Sequence, residues 1–149
     1  IRKLAQNDNS FYGKIVSINK DEIVNFLKNS DKKIKVEIFT KGHRNPQGLA
    51  NIKNSYFSSE HGPKGGDEIN VLNKNNNYGW PLASYGTKYE ILGEASYKLN
   101  HKKEKFTEPL LQFTPSIAIS DLSNCSKMMI EYFERDGCLL ATSLKKQSL

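Results

Sequence analysis

Residues 42–50, GHRNPQGLA, decide how this chain is read. They place a Gly, a His, an Arg, an Asn and a Pro ahead of a short apolar segment. A second turn-rich stretch, residues 59–72, reads SEHGPKGGDEINVL, and the following residues 73–81 read NKNNNYGWP. Gly, Pro and Asn are turn formers, each for its own backbone reason. Two turns are therefore expected, over residues 42–48 and 60–68, each leading into a short strand, 49–52 and 69–72. Turn formation alone does not require an Arg, a Gln, a His and three carboxylates so close together. A polar site on loops at strand ends does.

Composition sets the outer limits. The chain has 149 residues, enough for one domain with a buried core. Mean hydropathy is −0.63. With 7 Phe, 7 Tyr and 1 Trp, the chain is still unlike a disordered one. The 22 basic residues outnumber the 16 acidic ones, giving +6. The lysines are mixed with acids and lack an aromatic-interleaved arginine stripe, so they read as a solvated surface and nucleic acid is not an expected partner. No apolar run is long enough to span a membrane. No signal peptide opens the chain, which starts as if inside a domain. Cys125 and Cys138 have no CxxC spacing and no paired His. They read as small apolar fillers, with a disulfide across neighbouring strands as the alternative in an oxidising compartment.

The flanking sequence reads mostly as short strands: residues 11–18 with a bulge at Gly13, 34–40, 56–59, 110–113, 116–119, 128–133 and 138–143. A single short helix is expected over residues 21–28, with Asp21 as its N-cap. Residues 53–55 form a turn, 84–108 a polar loop, and 121–127 and 135–137 connections. Evenly spaced short strands with Gly- and Asn-rich turns suggest a sandwich, barrel or propeller.

GHRNPQGLA, SEHGPKGGDEIN and NYGWP, in this order and spacing, resemble the glucose/sorbosone dehydrogenases, soluble quinoprotein sugar dehydrogenases. Weaker similarity runs through FYGKI at residues 11–15, TPSIA at 114–118 and ATSLK at 141–145. The resemblance implies an all-β fold, a six-bladed β-propeller with four-stranded blades and the site at the mouth of the central axis. At about 40–50 residues per blade the chain supplies about three blades. Residues 1–149 are then one partial propeller domain without a second domain, either a piece of a longer chain or half of a pair with another copy. An isolated half propeller is expected to be unstable.

The resemblance also implies the chemistry: oxidation of an aldose at the anomeric carbon to the lactone, with pyrroloquinoline quinone (PQQ) and Ca2+ as cofactors and an external electron acceptor. It implies a periplasmic or secreted location. Arg44 and Asn45 map to the residues that contact the quinone, and Gln47 lines the same pocket. A guanidinium suits this task through its planar donor fork. Taken alone, Arg44 reads as a surface ion-pair partner and Asn45-Pro46 as an ordinary turn. Ser116 and Lys145 map to a hydroxyl and a lysine that reach the quinone's carboxylates; alone, Lys145 is a plain surface lysine. Carbonyls of Gly62 and Pro63 map to the calcium that bridges to the cofactor, and Glu68 and Tyr78 to a further calcium site, in keeping with calcium's preference for oxygen. Further calcium ligands of some members have no clear match in residues 84–90.

The family's catalytic base is a His in a preceding blade, and none of His43, His61 or His101 occupies that position. No catalytic residue is therefore assigned in this chain, and alone it is expected to be inert. Two other readings compete: a propeller that binds without redox chemistry, and a small basic domain for nucleic acid.

Overall fold

Alternating strand segments and tight polar turns give the described residues three separate antiparallel sheets. The computed structural model describes residues 1–29, 33–89, 97–134 and 137–145. The first sheet pairs β1 (Lys14–Ile18) with β2 (Val36–Lys41), joined through α1 (Lys20–Lys28). The second is a four-stranded meander of β3 (Pro46–Ile52), β4 (Ser55–Glu60), β5 (Asp67–Leu72) and β6 (Leu111–Phe113). The third pairs β7 (Ile119–Asn124) with β8 (Leu139–Ser143), around the short helix α2 (Lys127–Tyr132). Among the described residues the chain thus contributes one complete blade and two strands of each neighbour.

The β3–β4 hairpin turns on Lys53 and Asn54, with φ of 46° and 68°. A two-residue turn with both φ positive matches the right-handed twist of the strands it joins. Ile52 then faces Ser55, and the register continues to Gly48 opposite Ser59, shifting by one before Pro46 meets Glu60. Across β4 and β5, Glu60 pairs with Glu68 and Ser58 with Asn70.

The main core lies between the complete blade and the third sheet. Ala50, Ile69, Ile119 and Leu122 are buried there, with Phe57, Phe113 and Leu139 against them. Gly48 allows the two blades to approach, since a Cβ on it would run into the backbone of Leu122. A second, smaller cluster joins Ala5, Trp80 and Tyr97. It ties the N-terminal 3-10 turn (Arg2–Gln6) to the residues after β5. Gln6 Nε2 donates to the Trp80 carbonyl at 2.6 Å, and its amide pairs with Asn77.

Several expectations need correction. The first strand begins at Lys14, because Gly13 takes φ 65° and Lys14 Nζ is drawn back onto the carbonyls of Leu4, Ala5 and Tyr12. The register shift falls between Ile15 and Val16 rather than at Gly13. The cap of α1 is Asn19, whose side chain accepts from the Asp21 N–H. Asp21 sits in the first turn instead, where a carboxylate favours the positive end of the helix dipole. Residues 128–133, expected as a strand, are mostly helical because Ser126 caps α2 through the Met129 N–H. Residues 121–124, expected as a connection, continue β7, with Leu122 inward and polar neighbours outward.

The cysteines are not fillers: Cys125 and Cys138 form a disulfide, with Cα atoms 5.4 Å apart, at the base of the α2 excursion. The strand expected from residue 49 begins at Pro46, so the first turn is shorter than its composition suggested. Residues 84–89 and 97–108 form irregular loop as expected, and the remainder of that expected loop lies outside the described residues. No helix among the described residues is long and apolar enough to cross a membrane.

Candidate functional site

The site is built where β2, β3 and the β4–β5 connection converge. After β2, Gly42 turns the chain with φ 78° and main-chain bonds carry it across to Ala5 and Trp80. This presents Arg44 and Asn45 to a cavity of about 340 Å3 that they share with Arg2, Tyr12 and Trp80. The Arg44 guanidinium lies 5.5 Å from the centre of the Trp80 ring and donates through Nη1 to the His61 carbonyl at 3.1 Å. Stacking and a main-chain acceptor together fix a long side chain that would otherwise be free. Asn45 is exposed; its carbonyl accepts from the His61 N–H and its side chain from Gln47. Gln47 is exposed and is not among the residues lining this cavity.

Behind Arg44 the polar groups are buried. Its main-chain N–H donates to Glu60 Oε2 at 2.8 Å. Glu60 Oε1 lies 3.2 Å from His43 Nδ1, and His43 Nε2 lies 2.9 Å from Thr40 Oγ1. The His43 ring stacks on Tyr78 with centroids 4.7 Å apart. Asn70 Nδ2 reaches Glu60 at 2.9 Å and Glu68 at 3.3 Å. Burial, and then the neighbouring Glu60 charge, push the Glu68 carboxyl well above the usual range. Burial likewise raises the Tyr78 phenol, whose hydroxyl donates to the Val71 carbonyl and accepts from the Asn73 N–H. The Tyr78 hydroxyl is thus committed, which leaves its main-chain carbonyl as the atom able to ligate.

The 61–66 connection supplies the other wall. Gly66 has φ 69°, and a Cβ on it would strike the backbone of Tyr85 and Gly86. The loop is held by the buried Asp67, whose Oδ1 accepts from the Gly62 N–H at 3.1 Å. Asp67 Oδ2 accepts from Ser116 Oγ at 2.6 Å, the Ala118 N–H at 2.8 Å and the Ile119 N–H at 3.3 Å. Ser116 therefore spends its proton on Asp67. Lys145 is exposed, and its main chain pairs with Ile117, so β8 brings it beside the Ser116 segment.

Gly62, Glu68 and Tyr78, with Arg44 and Glu60, line one small pocket of about 10 Å3, room for about one water-sized particle. Pro63 is buried next to it in sequence. Among the described residues, no three His, Cys, Asp or Glu side chains converge on a metal position. A cation here would draw on carbonyl and amide oxygens together with a carboxylate, a donor set suited to a hard ion such as calcium. The Asn70 Oδ1 atom is buried without a partner, which fits a site short of positive charge.

Sequence reading missed His43, Glu60, Asp67 and Asn70 as parts of this construction. The available signal was the two-residue period: Ser58 and Glu60 on β4, and Glu68 and Asn70 on β5, share one face of their hairpin.

The chain belongs to the Glucose / Sorbosone dehydrogenase family, whose model matches residues 1–149. Aldose sugar dehydrogenase YliI of Escherichia coli K12 is 36% identical over 132 residues, which cover 82% of this chain and 34% of that protein. The crystal structure of the soluble aldose sugar dehydrogenase from Escherichia coli, in the apo form, superposes with a TM-score of 0.71 at 33% identity. It covers 97% of this chain and 42% of that one. The PQQ-bound aldose sugar dehydrogenase of Streptomyces coelicolor gives a TM-score of 0.62 at 25% identity, over 97% of this chain and 36% of that one. The fold is thus a partial β-propeller of the sugar dehydrogenase type. The chain spans about a third of the length of the curated relatives it matches.

Proposed function

We propose that this chain carries the middle of the cofactor site of a PQQ-dependent aldose dehydrogenase. The reaction is oxidation of an aldose at its anomeric carbon to the lactone, with electrons passed to an external acceptor in the periplasm or outside the cell. The observation that carries this reading is the shared placement of Arg44, Gly62, Glu68 and Tyr78 around one pocket, with Arg44 also facing the larger cavity. PQQ supplies the hydride acceptor when bound.

The chain's own residues bind and orient it. Arg44, held over Trp80, offers a fixed planar cation to a quinone oxygen and stabilises negative charge that develops there. Asn45 and Gln47 add amide contacts at the rim. Lys145 and Ser116 face the quinone's carboxylates; Ser116 donates to one only by giving up the proton it now shares with Asp67. The Gly62 and Pro63 carbonyls would hold the calcium at the cofactor, and the Glu68 carboxylate with the Tyr78 carbonyl would hold a further calcium. Proton abstraction is assigned to none of this chain's histidines. His43 is fully buried with both ring nitrogens engaged, and His101 is buried under Tyr85. Residues 1–149 are read as part of one propeller domain.

The test is an Arg44 series in the full-length protein. Arg44→Lys keeps the charge and loses the fork; Arg44→Ala loses both. Sugar-dependent dye reduction is expected to fall in the order wild type, Lys, Ala, with turnover down by about one to three powers of ten. An Arg44→Ala variant that binds PQQ and turns over at the wild-type rate would refute the site.

A further inference from the structure

The hairpin of β4 and β5 sets two carboxylates, Glu60 and Glu68, directly across from each other. They are 4% and 6% exposed, and Asn70, 0% exposed, donates to both through the same nitrogen. Burying two like charges around one amide is unfavourable unless something positive compensates them. On its other side Glu60 meets His43 Nδ1 at 3.2 Å and accepts from the Arg44 N–H at 2.8 Å. One unbroken set of hydrogen bonds therefore runs from Glu68, a proposed calcium ligand, through Asn70 and Glu60 to the backbone that carries Arg44. The buried Asn70 Oδ1, without a partner, marks the same place as incomplete.

We propose that Glu60 is a positioning residue that couples cation binding at Glu68 to the placement of Arg44. The inference rests on the calcium reading above. A cation on Glu68 neutralises the carboxylate facing Asn70 and Glu60. The like-charge repulsion across the hairpin then vanishes, and Glu60 stays where Oε2 receives the Arg44 N–H. Without the cation, the facing carboxylates weaken the Glu60–Arg44 bond, which then opens more often. Linkage makes the effect reciprocal: breaking the Glu60–Arg44 bond weakens cation binding by the same factor.

The experiment titrates calcium into the full-length protein, cleared of divalent ions, and reads two quantities. Calorimetry gives calcium affinity, and hydrogen–deuterium exchange resolved to single amides gives protection of the Arg44 N–H. Calcium is expected to slow Arg44 exchange by about 5- to 150-fold, the usual range of coupling between sites. Asn70→Ala keeps Glu68 and is expected to bind calcium while losing most of that slowing. Glu60→Gln, which preserves shape and removes the charge, is expected to do the same. Calcium binding with no change at Arg44 overturns the coupling and leaves the calcium reading intact. A uniform slowing across β3, β4 and β5 also overturns it, because that is general stabilisation. No calcium binding by the wild-type protein overturns both.

Discussion

Replacing Asp67 by Asn should cost this protein about 3 kcal/mol, and the size of that cost follows from four hydrogen bonds. Asp67 is 1% exposed and accepts from Gly62, Ser116, Ala118 and Ile119. Asn has the same volume but turns one oxygen into a donor. The less costly orientation aims the new NH2 at the Gly62 N–H, leaving that donor unpaired at about 1–3 kcal/mol. The remaining three bonds lose their charge assistance, about 1 kcal/mol each, offset in part because a buried charge has been removed. In the full-length protein the same loss is read as a lower thermal midpoint. Urea denaturation at an unchanged slope measures the same quantity. Ser116→Ala, which removes one of the four donors, should cost about 1 kcal/mol alone, and less in the Asp67→Asn background. An Asp67→Asn variant within about 0.5 kcal/mol of wild type, or full additivity with Ser116→Ala, would refute the role assigned to Asp67.

Two further outcomes are expected. Gly48→Ala pushes a Cβ into the Leu122 backbone, so it should destabilise by about 1–3 kcal/mol and speed amide exchange in β7 selectively; wild-type exchange there would contradict the close packing of the blades. Burial lowers the pKa of His101 against the opposing pull of Glu108, so the unfolded chain takes up a proton near the ordinary value of 6.5 before the folded one does. Stability from this group is therefore complete above that pH and declines as pH falls towards the lower folded pKa; urea midpoints between pH 8 and 5 should show the decline, and His101→Gln should flatten it.

The loops of the site were legible and their supports were not. Arg44, Gly62 and Glu68 lie in strings whose composition exceeds what turns need, and the structure brings all three to one pocket. Ser116 and Lys145 come together because β7 and β8 are hydrogen-bonded neighbours. Nothing local in the sequence shows that the hairpin buries Glu60 and Asp67. The errors of element type have local causes as well. Residues 127–132 hold Met, Ile and Tyr, which serve a strand or a helix equally, and Ser126 decides the matter by capping. The cysteine pair looked unremarkable because its partners are separated by 13 residues, and only the antiparallel pairing of β7 with β8 brings the ends together.

Glu60 closes β4 and Asp67 opens β5, so the two carboxylates bracket the 61–66 connection. They face different halves of the site: Glu60 holds the Arg44 backbone, and Asp67 holds Gly62 together with the Ser116 segment. The connection between them carries only Pro63 as an apolar side chain and could not be ordered by hydrophobic burial. Fixed backbone acceptors must do that work, and a carboxylate is the side chain with the most acceptor capacity for several N–H groups at once. The same choice gathers negative charge around the pocket, which suits an oxygen-seeking cation and a positively charged arginine there. On the calcium reading proposed above, the carboxylates that hold the loops also set the position of the oxygens that would ligate the cation. Substitutions at Glu60 or Asp67 should accordingly change both together, whereas substitutions at Gln47 or Lys145, exposed at the rim, should change cofactor affinity alone.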